Sequence, residues 1–148
     1  MERVDWDEFA DRYDRVFLQD PLYVEMLRTL VEQVDMKGGA RVLAIGGKFV
    51  YGDHFTDVEG AHRDPARCRD IIEKTVGRAL FALDGGGYDQ MLGLLRVLPL
   101  CLAEDGEYLE TPARWRQLLE DEGFGDFSLL EVPPVGFGIK ILVASRLR

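Results

Sequence analysis

Four residues between positions 53 and 64 carry side chains that bind metals or move protons: Asp53, His54, His62 and Asp64. Carboxylates and imidazoles within one short stretch are the raw material of a metal centre, yet their spacing fits no metal-ligand pattern. Asp64 precedes Pro65, which is an N-cap followed by proline at the first helical position, so a helix start accounts for it. Asp53 and His54 are different. They follow the apolar run Phe49, Val50, Tyr51 and are expected just past a strand end, where ligands bind in open α/β sheets. Cys68 and Cys101 lack a neighbouring histidine or basic pair and read as core residues. Gly85-Gly86-Gly87 lacks the Lys-Ser/Thr that follows a phosphate loop and reads as a helix break. No residue stands out as a nucleophile, and the catalytic residues are unknown at this level.

The stretch GGARVLAIGGKFVYGD, residues 38–53, must position these groups. Val42, Leu43 and Ile45, then Phe49, Val50 and Tyr51, are β-branched or aromatic runs bounded by glycines, which favours strand. Gly46-Gly47 is either a two-residue hairpin turn or a tight turn feeding the second run; the latter is preferred slightly. Helices surround this stretch. Trp6, Phe9, Ala10, Tyr13, Val16 and Phe17 recur at steps of three and four, an apolar helical face that packs on the core or covers a pocket. Asp20-Pro21 starts a second helix with Leu22, Tyr23, Met26, Leu27, Leu30, Val31 and Val34 inward, stopped by Gly38-Gly39. Residues 57–64 read as a loop.

After Asp64-Pro65 a helix buries Cys68, Ile71, Ile72, Thr75, Val76, Ala79 and Leu80. Tyr88 to Leu102 is apolar on nearly every side, so it is buried or lies at an interface, and Pro99 should kink or shorten it. Residues 104–110 read as a solvated loop. Thr111-Pro112 opens another helix with Trp115, Leu118 and Leu119 inward and Gly123 as its stop. A strand around Phe127–Leu130 ends at Pro133-Pro134. In the last strand Ile139, Ile141 and Val143 alternate with Lys140, Leu142 and Ala144 up to Arg146, and the final two strands pair antiparallel.

The 148 residues suit one domain, 1–148. A hydrophobic fraction of 47% and a charged fraction of 30% are those of a soluble globular protein. A net charge of -9 argues against non-specific binding to nucleic acid or anionic lipid. The acidic start MERVDWDEFADRYD is no signal peptide, no apolar run is long enough to span a membrane, and two cysteines make no disulfide framework. A cytoplasmic location is expected.

Several segments resemble the class I S-adenosylmethionine-dependent methyltransferases. WDEFADRYD is similar to the helix before their nucleotide-binding core, and KGGARVLAIGG to the lead-in to their first strand, usually V-L-D-I-G-x-G-x-G. GGKFVYGDHF is equally similar to their fifth strand, which often follows R-V-L-x-P-G-G. TPARWRQLLEDEGF resembles a late helix, and FSLLEVPPVGFGIKILVASR the closing antiparallel pair of strands. The order of these pieces is that of the family, with first and fifth strand fused through one VLAIGG.

The resemblance implies an α/β fold: a small mixed sheet of about three strands with flanking helices, a reduced methyltransferase (Rossmann-like) domain. It implies S-adenosylmethionine as cofactor, with Tyr13, Gly46 and Gly47 on the cofactor side and Asp53 and His54 on the substrate side, and a small molecule as methyl acceptor. Ala44 stands where the family has an acidic residue, and no second strand ends in the carboxylate that holds ribose. Cofactor binding by the chain alone is accordingly expected to be weak or absent. The alternative is a non-catalytic, methyltransferase-derived binding or dimerisation module. A homodimer is expected in either case, through Tyr88–Leu102 or through sheet edges, with the helix preferred, because a sheet stripped of neighbours leaves open edges and uncovered apolar helix.

Overall fold

The computed structural model describes residues 20–33, 47–104 and 109–147, with side chains as far as Leu30 in the first of these. The expected aromatic helix around Trp6–Phe17, the run Val42–Ile45 and the stop at Gly38-Gly39 lie outside the described residues.

Helix starts follow local chemistry. In α1 (Pro21–Gln33) the Asp20 carboxylate accepts from the Leu22 amide at 2.9 Å. In α2 (Pro65–Asp84) Asp64 accepts from the amides of Ala66 and Arg67, with Gly85 as C-cap. In α4 (Pro112–Asp121) Thr111 accepts from the Arg114 amide at 3.1 Å. Each side chain satisfies an amide donor that the first turn leaves without a partner. Between them α3 (Tyr88–Leu102) runs through Pro99 without ending there.

Three strands form the sheet: β1 (Lys48–His54), β2 (Phe124–Glu131) and β3 (Ile139–Arg146), in the order β1-β3-β2. Both pairings are antiparallel, with Lys48 opposite Ser145 and His54 opposite Ile139. The fold is therefore α/β with a three-stranded antiparallel sheet and four helices among the described residues. This corrects the expected mixed sheet, and the strand order is not Rossmann-like. The expected antiparallel pairing of the last two strands is present.

The central position of β3 explains its burial. Ile139, Ile141 and Val143 pack with Leu22, Met26 and Val50 on the α1 face. Leu142 and Ala144 pack with Leu119, Phe49, Trp115, Phe124 and Phe127 on the α4 face. The expected alternation holds as a parity, but both rows are covered. The helical hairpin of α2 and α3 forms its own cluster around Ile71, Ala79, Ala82, Leu94, Val97, Cys101 and Leu109, with Tyr23 of α1 against it.

Three further expectations are corrected. In α2 the buried row is Arg67, Ile71, Thr75, Arg78, Ala79 and Ala82, while Ile72 and Leu80 are exposed. The inner face is rotated because two arginines, not two aliphatics, complete it. Leu118 is exposed, and α4 buries Leu119 alone. Leu109, expected in a solvated loop, belongs to the hairpin core.

Candidate functional site

Where β1 ends, the ladder extends by one bond: the Phe55 amide donates to the Gly138 carbonyl at 2.8 Å. The chain then turns, and Thr56 and Asp57 meet α2. Thr56 Oγ1 donates to Asp70 Oδ2 at 2.7 Å, and the Asp57 amide donates to the same oxygen at 3.0 Å. One helical turn on, Lys74 Nζ donates to Asp70 Oδ2 at 2.9 Å, to Asp57 Oδ2 at 2.7 Å and to the Phe55 carbonyl at 3.5 Å. From β3, Lys140 Nζ donates to Asp57 Oδ1. The Asp57 carboxylate thus bridges two lysines, one oxygen to each.

The exposures are unequal. The side chains of Lys74 and Lys140 are 12% and 9% exposed, whereas that of Asp57 is 51% exposed. Burial pulls the Asp57 carboxyl upward, but hydrogen bonds from Lys140 and Lys74 outweigh it and hold it below the usual range. At Asp70 burial is likewise outweighed, by Thr56, Lys74 and the Asp57 amide. Both stay ionised, as charges beside buried ammoniums must.

A second polar group lies on the α1 face. His54 is nearly buried there, and burial first, then the positive charge of Arg78, holds its imidazole well below its ordinary value. The ring is neutral at pH 7. Asp20 is pushed up by burial, against the opposing effects of the Leu22 amide and Arg78. Arg78 is 2% exposed and places Nη2 at 3.4 Å from Thr75 Oγ1. One guanidinium therefore acts on a helix-capping carboxylate and on a histidine at a strand end.

The candidate pocket residues are spread out. Tyr13 and Gly46 lie outside the described residues. Gly47 precedes β1 and accepts from the Arg146 amide at 2.7 Å. Asp53 and His54 sit at the far end of that strand, about 20 Å away at roughly 3.3 Å per residue. They close β1 rather than following it, which corrects the expected strand end. Asp53 shares the α4 face with Tyr51 and Phe49, and its carboxylate accepts from the Tyr51 hydroxyl and the His54 amide. His54 falls on the opposite side, with Nδ1 at 3.8 Å from Asp53 Oδ1. His62 Nε2 contacts the Ala103 carbonyl and Asp64 caps α2. Among the described residues no group of three or more His, Cys, Asp or Glu is placed to hold a metal ion.

Asp57, Asp70, Lys74 and Arg78 were not singled out by sequence, and Asp20 and Lys140 were read only as a helix cap and as one position of the strand alternation. Two signals were present. Asp70 and Lys74 form an i, i+4 acid-then-base pair on a helix. Lys140 is a lone charge inside the apolar run Ile139–Ala144. Two open depressions flank the loop after β1. One of about 450 Å³ is lined by Val58, Pro65, Ala66, Arg69, Asp70 and Glu73. One of about 220 Å³ is lined by Val58, Glu59, Gly60, Arg67, Leu109, Glu110, Thr111 and Arg114.

Comparison of the chain with models of protein families, with curated proteins and with solved structures finds no match. Among the described residues no helix is long and apolar enough to cross a membrane.

Proposed function

We propose that the chain is a reduced relative of the class I S-adenosylmethionine-dependent methyltransferases, and that this domain works as a binding or dimerisation module, not as a self-contained enzyme on a small molecule. The ancestry rests on the segments that resemble the family. In support, the strand that resembles the fifth and the two that resemble the closing pair are neighbours in one sheet.

The observation that carries the module reading is the antiparallel pairing of β3 with both β1 and β2. An open α/β sheet holds a nucleotide in the crevice where parallel strands end and their connections diverge. Two antiparallel pairings create no such crevice, because neighbouring strand ends point in opposite directions. The separation of Gly47 from Asp53 and His54 along β1 points the same way.

Calorimetric titration with S-adenosylmethionine and S-adenosylhomocysteine tests this reading. The expected result is no saturable heat at high micromolar ligand. A micromolar dissociation constant would overturn the module reading and restore the methyltransferase, with Tyr13, Gly46 and Gly47 toward the cofactor and Asp53 and His54 toward the substrate.

A further inference from the structure

The lysines at the end of β1 are arranged around a carboxylate. Lys140 comes from the central strand and Lys74 from the middle of α2, so two rigid elements fix the ammoniums. Both side chains are nearly buried, while the carboxylate between them is half open to water. Asp57 is the only hydrogen-bond acceptor of Lys140 Nζ among the described residues. A buried ammonium needs such a partner.

We propose that Lys74 and Lys140 form a binding site for the carboxylate of a small-molecule ligand, and that the Asp57 side chain holds this position until the ligand replaces it. The inference does not depend on the methyltransferase resemblance. Three observations carry it.

The Asp57 backbone is held independently of its carboxylate, because its amide donates to Asp70 Oδ2 at 3.0 Å. Rotation about the side chain therefore releases the lysines without opening the loop, a fast motion for an exposed residue. The pairing selects the ligand. Lys74 keeps Asp70 as partner at 2.9 Å when Asp57 leaves, whereas Lys140 loses its only acceptor among the described residues, so the place vacated is that of one carboxylate group. The cross-strand neighbours of Lys140 do not take that role. The Asp53 carboxylate accepts from Tyr51 and the His54 amide, and Glu131 accepts from the Gly136 amide at 2.7 Å. Geometry agrees with a planar two-oxygen group, since Asp57 gives one oxygen to each lysine.

Acetate is the probe. Thermal melts of Asp57→Ala in acetate are compared with melts in chloride at equal ionic strength. At ten times the dissociation constant acetate is expected to raise the melting temperature of the variant by about 5 °C more than that of the wild type. Adding Lys140→Met is expected to abolish the difference. Equal shifts in variant and wild type, or a shift that survives Lys140→Met, overturn the site. Should Asp57→Ala fail to fold in chloride, recovery in acetate is the expected result, and failure in both salts overturns the site. In the wild type the NMR signals of the Asp57 amide and Lys140 ammonium should move with acetate and stay fixed with chloride; unmoved signals count against it. Phosphate moving them as far as acetate would overturn the assignment to carboxylates.

Discussion

Arg78 of α2 acts on His54 of β1 across the interior, and its charge adds to burial in keeping the imidazole unprotonated. A histidine whose folded value is depressed ties stability to pH in one direction. The unfolded chain takes up the proton near the ordinary imidazole value of about 6.5 and the folded chain does not. Protons therefore bind the unfolded state more, and stability rises with pH in this window. The contribution of His54 is complete above about pH 6.5 and is lost as pH falls toward the folded value. Urea midpoints at several pH values from about 7 down to about 5 should fall for the wild type and flatten for His54→Gln. Parallel profiles for the two proteins would remove His54 as the cause. The lowered carboxyls of Asp57 and Asp70 act in the same direction at more acid pH, as pH falls below the ordinary aspartate value of about 3.8. Asp20, being raised, acts in the opposite direction as pH rises through and above that value.

How far the chain could be read without coordinates follows from the range of each interaction. Helix starts at Asp64-Pro65 and Thr111-Pro112 were legible because a cap and its amides lie within three residues. The parity of β3 was legible because it depends on its own alternation. The inner face of α2 was legible only in part: Ile71, Thr75 and Ala79 are buried as expected, but Ile72 and Leu80 are exposed, and Arg67 and Arg78 complete the row, made tolerable by partners elsewhere. Arg67 Nη2 donates to the Leu109 carbonyl at 2.7 Å, and Arg78 faces Asp20 and His54. The bridge from Lys140 to Asp57 spans 83 positions, and nothing near either residue announces the other. Asp53 and His54 were noticed for their types, yet the pleat that separates them follows from their membership of β1.

Gly138 is where the strand-end site meets the backbone most tightly. Its φ is +75°, a region that costs a side-chain-bearing residue about 1–2 kcal/mol. A Cβ there would lie 2.7 Å from the Phe55 carbonyl oxygen and 2.8 Å from Lys74 Cδ. Lys74 can move its stem, but the Phe55 carbonyl is backbone, in a residue whose own amide is tied to the Gly138 carbonyl. Gly138→Ala should therefore destabilise by about 2–4 kcal/mol, strain and overpacking together. Equilibrium denaturation measures this. A loss below roughly 0.5 kcal/mol, the range of an ordinary surface change, would show that the turn relaxes freely.

Self-association is the remaining prediction. Ile72, Val76, Leu80 and Leu83 recur on α2 at steps of four, four and three, which makes a second apolar stripe beside the buried row. Ile72, Leu80 and Leu83 are exposed, Leu80 by 55%, and α3 adds Leu95 and Tyr88, the latter 59% exposed. A soluble monomer seldom carries such a patch, and a two-fold axis lets one self-complementary face cover itself. The buried side of α3, from Gly93 and Leu94 to Val97 and Cys101, is occupied within the hairpin. The contact is thus expected on the outer side of both helices and not around the whole of Tyr88–Leu102. Light scattering coupled to chromatography should give twice the chain mass of 16.8 kDa at high micromolar concentration. A double variant Leu80→Glu, Leu95→Glu should be monomeric with an unchanged circular dichroism spectrum, because neither residue belongs to the core. Ala79→Glu, one position away but 1% exposed, should instead unfold the hairpin. A wild-type monomer peak at that concentration would remove the dimer, and a double variant that still pairs would place the interface on another face of the protein.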